Sequence, residues 1–284
     1  MAGTLYLVGT PIGNLEDMSP RAVKALREAA VIAAEDTRRT MILCNHFGIH
    51  TTLVSYHRHN ERARAGELLV RLAGGDSVAL ATDAGLPGIS DPGEILVRRA
   101  VESGFSVVPI PGPSACLLAL AASGLPSSAF TFYGFLPRRA AARRVTLSRL
   151  AEARDTAVIY EAPRRLGETL AELSEVLGAG RGVVVARELT KIHEEFWRGT
   201  LGQAAAHYAG VEVKGEVTLV VAGRGESAEK KGDLAAAREC VESMLKEGAG
   251  LAEAVRAAAH TCGVSRNALY RACLSDPRAR TSCP

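Results

Sequence analysis

The sequence predicts an α/β protein built from two successive strand–helix series, followed by a small all-helical segment. Three observations carry this. Short apolar runs alternate with longer stretches whose apolar residues keep helical spacing. The alternation restarts after a Gly/Pro/Ser-bearing stretch at 124–128. Beyond a polar, charged stretch at 224–232, helical spacing is all that follows. The expected domain boundaries are therefore 1–123, 124–223 and 233–284.

Taken in order, residues 4–9 form a strand that ends in the tight loop Thr10-Pro11-Ile12-Gly13-Asn14. Ser19-Pro20 opens a helix carrying Ala22, Val23, Leu26 and Ala30 at helical spacing. A strand over 31–34 delivers Glu35-Asp36-Thr37-Arg38-Arg39, and a helix over 40–47 stops at Gly48. A strand over 53–56 opens into His57-Arg58-His59-Asn60-Glu61; the helix 62–73 then ends at Gly74-Gly75. The apolar run 78–81 reads as a fully buried strand. It ends in Thr82-Asp83-Ala84-Gly85 and Pro87-Gly88, with Ser90 or Asp91 placed to cap a helix that has Pro92 in its first turn. A strand over 105–110 follows Gly104, and Pro111-Gly112-Pro113 leads into a helix with Ser114 as its cap. Such alternation with short connections implies a mostly parallel sheet covered on both faces. Two strands then end in Gly/Pro turns at one edge, past their carboxyl ends, which is where open α/β sheets hold ligands.

The second series runs as strand 130–135, helix 140–153, strand 157–160, helix 163–177, strand 183–186, a hairpin edge and a last strand at 216–221. The basic run Arg138, Arg139, Arg143 and Arg144 opens its first helix, where it suits either solvent or phosphate. In the tail, Leu251, Ala254, Val255 and Ala258 share one helix face. A turn at 261–265 then leads into 266–271, the outline of a helix-turn-helix.

Composition narrows the classes. The 284 residues carry 34 basic and 31 acidic side chains, a net charge of +3, so overall charge announces no nucleic-acid partner and one must be argued from local patches. The six cysteines form no CxxC pair and read as reduced thiols of the cytoplasm. No targeting segment is expected ahead of the first strand, and the apolar stretch 116–122 is too short for a bilayer. No His/Cys/Asp cluster has metal-ligand spacing, so no metal is expected.

The loops also say what they would hold. Neither GxGxxG nor GxxxxGK[ST] is present, and the central loops offer backbone amides, Asp83 and almost no cations. That suits a ligand with polar edges and a positive centre, such as S-adenosylmethionine.

The ordered motifs LVGTPIGNLEDMSPRA, AEDTRRT, SYHRHNE, DAGLPGISDPG, PIPGPSA, FYGFLPR, YEAPRRL and RELTKIHEE closely resemble the ribosomal RNA 2′-O-methyltransferases of the tetrapyrrole methylase superfamily, from about residue 5 to 221. The first loop departs from the GxGPGD-like loop of corrin and porphyrin methylases, which favours RNA over a macrocycle. The resemblance implies two α/β domains with S-adenosylmethionine in the cleft between them, a homodimer, and as substrate a decoding-centre cytidine of bacterial 16S rRNA, free or in the small subunit. It places Pro11, Asp83, Ala84, Gly85, Ile89, Ser114, Ala115, Tyr133, Phe135, Glu216 and Thr218 against the cofactor. Asp83 and Ser114 also follow from the loop chemistry.

For activating a ribose hydroxyl the candidates are Lys191, as cation or desolvated base, with Glu188 or Glu194 orienting it, and His57 beside His59. A further assignment gives Asp36 and Arg38 the cofactor or the RNA backbone; the residues leave these open. RNA contacts are expected from Arg38, Arg39, Arg58, Arg138, Arg139, Arg143 and Arg144, with Arg266 and Arg271 in the tail. The alternatives are a tetrapyrrole methylase using the same cleft and a non-enzymatic helix-turn-helix regulator.

Overall fold

The structure, a computed structural model, describes residues 2–225, 234–246, 249–262, 264, 269–270 and 272–273. In chain order the first series is β1 (Thr4–Val8), α1 (Pro20–Glu28), β2 (Val31–Ala34), α2 (Thr37–His46), β3 (Leu53–Ser55), α3 (Glu61–Ala73), β4 (Val78–Ala81), α4 (Glu94–Glu102), β5 (Ser106–Ile110) and α5 (Ala115–Ser123). The second is β6 (Phe130–Phe135), α6 (Ala140–Glu152), β7 (Thr156–Glu161), α7 (Leu166–Leu177), β8 (Gly182–Arg187), β9 (Glu195–Thr200), α8 (Leu201–His207) and β10 (Val217–Val221), after which come α9 (Leu234–Lys246) and α10 (Leu251–Cys262). Met1–Gly223 clusters as one compact unit and Arg224–Pro284 as another.

The first sheet is parallel throughout, in the order β3-β2-β4-β1-β5. Every residue of the VIAA and VALA strands β2 and β4 is buried, as inner strands covered on both faces require. Pro109, which has no N–H for a ladder, sits in the edge strand β5. Val8 pairs with both Ala81 and Ile110, and Ala34 with Ala81. That register delivers Gly9, Thr82, Pro111 and Glu35 side by side at one edge. The second sheet, β6-β7-β10-β8-β9, is parallel between β6 and β7 and antiparallel elsewhere.

Helix α5 joins the two sheets. Its Cys116, Ala119 and Leu120 pack with Val158, Val184, Ala186 and Val220 of the second sheet and with Ile12 of the first loop. The connection at 124–128 is not a free linker: Gly124 ends α5 at φ 79°, and the Pro126 carbonyl accepts from the Thr156 hydroxyl at 2.6 Å. Two helix starts also differ from expectation. Helix α2 begins at Thr37, not 40, because the Asp36 carboxylate accepts from Arg38 N at 2.9 Å and caps it. Helix α4 begins only after Gly93, whose φ of 149° suits glycine, so Ser90 and Asp91 are left in the loop rather than capping. Ser114 holds the cap position of α5, but its hydroxyl makes no capping bond.

In the other unit, α9 and α10 pack through Ala237, Val241, Ala254, Val255 and Ala258, joined by Leu269 and Cys273. The expected second helix of the helix-turn-helix lies largely outside the described residues, Arg266 and Arg271 included.

The first and last loops of the parallel sheet touch backbone to backbone. A Cβ on Gly112 would lie 2.7 Å from Gly9 Cα. Gly112→Ala is expected to lower stability by about 1–3 kcal/mol, because the clash is with backbone and cannot be relieved by a rotamer. Gly66→Ala, in the interior of α3 with nothing within 4 Å of the added methyl, is expected to raise it by about 0.5–1 kcal/mol. Urea unfolding midpoints of the two variants check both signs.

Candidate functional site

The Gly/Pro corners of the first sheet and the facing ends of the second enclose a cavity of about 330 Å3. Its first-half wall is made of Ala84, Gly85, Leu86, Ile89, Ser90, Asp91, Ser114 and Ala115; Phe135, Tyr160–Pro163, Leu189 and Glu216–Thr218 close it from the second half. Three carboxylates, Asp91, Glu161 and Glu216, line it together with many apolar groups, and its lining includes no basic side chain. A second cavity of about 290 Å3 lies beside it, between the first loop, the start of α2, Thr82–Ala84 and Lys191. Ile12, Ala84 and Glu216 line both.

The loops are locked to one another. Thr10 and Gly85 exchange backbone bonds of 2.9 and 3.0 Å, and the Thr10 hydroxyl donates to the Thr82 carbonyl at 3.1 Å. Asp36 N donates to Asp83 Oδ1 at 3.1 Å, and Arg39 lies 3.5 Å from Asp83 Oδ2. Burial, and next the charge of Glu35, push the Asp91 carboxyl up to about 6. Burial likewise raises Glu35. Arg58 offsets part of both effects and donates to the Ser90 carbonyl. Asp36 is held down at about 2 by its hydrogen bonds to Arg38.

Lys191 is presented by a strained turn after β8. Glu188 and Thr190 adopt φ of 51° and 67°, left-handed values that side chains rarely take. The turn is held by Glu188 Oε1, which accepts from Lys191 Nζ at 2.8 Å and Glu216 N at 2.9 Å, and by Glu194 Oε2, which accepts from Thr190 N at 2.7 Å. The lysine stem crosses Gly13, where a Cβ would collide with Lys191 Cγ. Burial pulls the ammonium's pKa down, but the bonds to Glu188 and to Glu216 (3.2 Å) outweigh it and the net shift is upward. Lys191 is thus a cation at neutral pH, which disfavours the desolvated-base alternative.

Of the residues expected at the cofactor, Ala84, Gly85, Ile89, Ser114, Ala115, Phe135, Glu216 and Thr218 line the first cavity, while Pro11 and Asp83 line the second with Lys191 and Arg39. Tyr133 lines neither; it packs against the core of the second sheet. His57 also lines neither, because it follows β3, at the sheet edge two strands from β4; its N–H donates to Asn60 Oδ1 and its ring meets His59. Glu194 braces the turn instead of orienting Lys191, a task Glu188 performs. Arg138, Arg139 and Arg144 are exposed at and near the start of α6.

Arg143 points inward. It is 12 % exposed and donates to Glu172 Oε2 at 2.5 Å and to Thr169 Oγ1 at 3.0 Å. The Thr169 hydroxyl in turn donates to Glu161 Oε2 at 2.6 Å, in the wall of the first cavity. Sequence reasoning missed Glu161 and Tyr160, whose Oη accepts from Cys116 N at 3.2 Å between the rings of Phe132 and Phe135. The signal was present, since Tyr160-Glu161-Ala162-Pro163 is another strand that ends in a proline turn.

Residues 4–205 match the family model of the Tetrapyrrole (Corrin/Porphyrin) Methylases. A Synechocystis sp. protein named ribosomal RNA small subunit methyltransferase I is 46% identical over 95% of this chain and 96% of its own length. One of the same name from Pseudomonas aeruginosa is 46% identical over 96% and 97%. Among solved structures, a uroporphyrin-III C-methyl transferase from Thermus thermophilus, complexed with S-adenyl homocysteine, superposes with a TM-score of 0.56. It does so at 20% identity over 78% of this chain and 97% of that one, a likeness of fold.

Two outcomes are expected. Arg143→Ala is expected to cost about 1–3 kcal/mol of stability, since it strips partners from Glu172 and Thr169, whereas Arg144→Ala stays within about 0.5 kcal/mol; chemical denaturation distinguishes them. Folding raises the Asp91 pKa, so the group's stabilising contribution is complete at acid pH and is lost as pH rises through about 6. Asp91→Asn should therefore melt above the parent at about pH 8, an advantage that shrinks as pH falls through that value.

Proposed function

The chain belongs to the tetrapyrrole (corrin/porphyrin) methylase family and, within it, groups with the ribosomal RNA small subunit methyltransferases I; on that premise we propose that it transfers a methyl group from S-adenosylmethionine to the ribose 2′-hydroxyl of a decoding-centre cytidine in 16S rRNA. The observation that carries this reading is the pairing of two adjoining cavities, one whose charged lining is acidic throughout and one whose charged lining is mixed. Asp91, Glu161 and Glu216 line the first without a basic side chain; Asp83, Glu216, Arg39 and the Lys191 ammonium line the second, and the two cavities share Ile12, Ala84 and Glu216.

The first cavity fits the donor. Its carboxylates suit a sulfonium and an ammonium, and Leu86, Ile89, Ala115 and Phe135 give an aromatic base an apolar enclosure. When bound, S-adenosylmethionine supplies a methyl group on a sulfonium whose departure leaves a neutral thioether. Asp91 faces the donor's positive groups, while the backbone of Ala84–Gly85, fixed by its bridge to Thr10, sets the donor's position. Alignment of this kind supplies up to roughly 7–11 kcal/mol of a barrier.

Lys191 lowers the cost of charge that develops on the ribose oxygen as its proton leaves. We assign the proton to Glu216, which lines both cavities whereas Glu188 lines neither; Glu216 Oε2 accepts one bond, from Lys191 Nζ at 3.2 Å. Arg38, Arg39, Arg58, Arg138, Arg139 and Arg144 are exposed and supply phosphate contacts. A homodimer is part of this reading, and the exposed Leu117 and Leu118 of α5 are the contacts it would use. A tetrapyrrole acceptor would outsize the second cavity, and a regulator without catalysis does not sit with membership of a methyltransferase family.

The test is transfer from methyl-labelled S-adenosylmethionine to immature small subunits, mapped by nuclease digestion. Label is expected on the ribose of one 16S cytidine. Label on a base, or on a corrin or porphyrin precursor in place of RNA, would refute the reading. Lys191→Ala is expected to lower kcat by about 10²–10⁴-fold while donor affinity holds within about 2-fold.

A further inference from the structure

We propose that the second cavity is the seat of a single unstacked nucleoside, the acceptor itself, with Ile42 of α2 as the apolar platform under its base. This rests on the reading above and specifies where on the chain the RNA is read.

Four observations converge on this cavity. It encloses about 290 Å3, close to the lower end of small-ligand pockets, roughly 300–1,000 Å3. It shares Ile12, Ala84 and Glu216 with the donor cavity, so the two cavities adjoin and a group seated in one neighbours a group seated in the other. Its charged walls are mixed: Lys191 is half-buried, and the 67 % exposed Arg39 meets Asp83 at the protein surface. Such a wall matches a ribose hydroxyl within and a phosphate at the mouth. Finally, Thr82 lines this cavity, is 3 % exposed, and its hydroxyl has no hydrogen-bond partner. A buried polar group without a partner is costly, and a ligand with a polar edge would satisfy it.

Ile42 is 69 % exposed and lines the cavity from a helix whose first turn carries Arg38 and Arg39. What sets Ile42 apart from most other exposed apolar side chains is its place in the cavity lining, and a base extruded from RNA needs an apolar surface to replace its stack. One helix thus offers both what a flipped nucleotide's base and what its flanking phosphate require.

The test uses the full chain with small subunits and a matched control, Val70→Asp, at a 73 % exposed position on α3. Ile42→Asp is expected to raise KM for the small subunit by about 10-fold or more, with S-adenosylmethionine affinity and melting temperature unchanged, and Ile42→Met to restore it. In a second arm, RNA carrying photoreactive 5-iodocytidine at the acceptor position is expected to cross-link within 39–43. A KM for Ile42→Asp equal to that of the Val70→Asp control, or a cross-link confined to the second half of the chain, overturns the proposal. Failure of the wild-type chain to methylate rRNA at all would instead overturn the function on which it rests.

Discussion

The site depends on one close contact between backbones. Strands β1 and β5 are neighbours in a parallel sheet, so their outgoing loops leave from the same edge and must pass one another. They can do so at Gly9 and Gly112 because neither carries a side chain where the Cα atoms meet. Once that crossing is fixed, the Thr10–Gly85 bridge ties the β4 loop to the first by two backbone hydrogen bonds. Preorganised backbone of this sort is what aligned displacement chemistry needs, since little is left to be ordered when the reactants arrive.

Charge is then sorted around the rim. Asp91, Glu161 and Glu216 line the first cavity, and burial makes Asp91, and Glu35 near it, reluctant to ionise. The ammonium of Lys191 stands on the other side, kept charged by Glu188 and Glu216. A turn with two left-handed non-glycine residues holds it there, a strained geometry that persists because Glu188, Glu194 and Gly215 over-determine it. The strain lies beside the proposed chemistry, where such outliers gather.

Much of this was legible in the residues. Apolar runs located the strands of the first sheet, those of β1, β4 and β5 closed by Gly/Pro corners, and the loop chemistry singled out Asp83 and Ser114 before any contact was seen. What periodicity could not supply was strand order. His57 looked equivalent to Asp83 because both follow a strand; only the β3-β2-β4 order shows that one loop lies at the margin and the other near the centre. Arg143 was equally opaque, since a basic run at a helix start reads as solvent-facing until the partner helix α7 brings Thr169 and Glu172 against it. Helix starts slipped where a capping side chain or a glycine dihedral, both local details, outweighed spacing.

Helix α5 has a history written into it. It is encoded with the first series, yet its Cys116, Ala119 and Leu120 are core residues of the second sheet. Neither half could be excised at the 124–128 connection without laying bare an oily face on both fragments. The two α/β layers are therefore not interchangeable modules, and recombination between distant relatives would be tolerated at the rim loops sooner than at this joint.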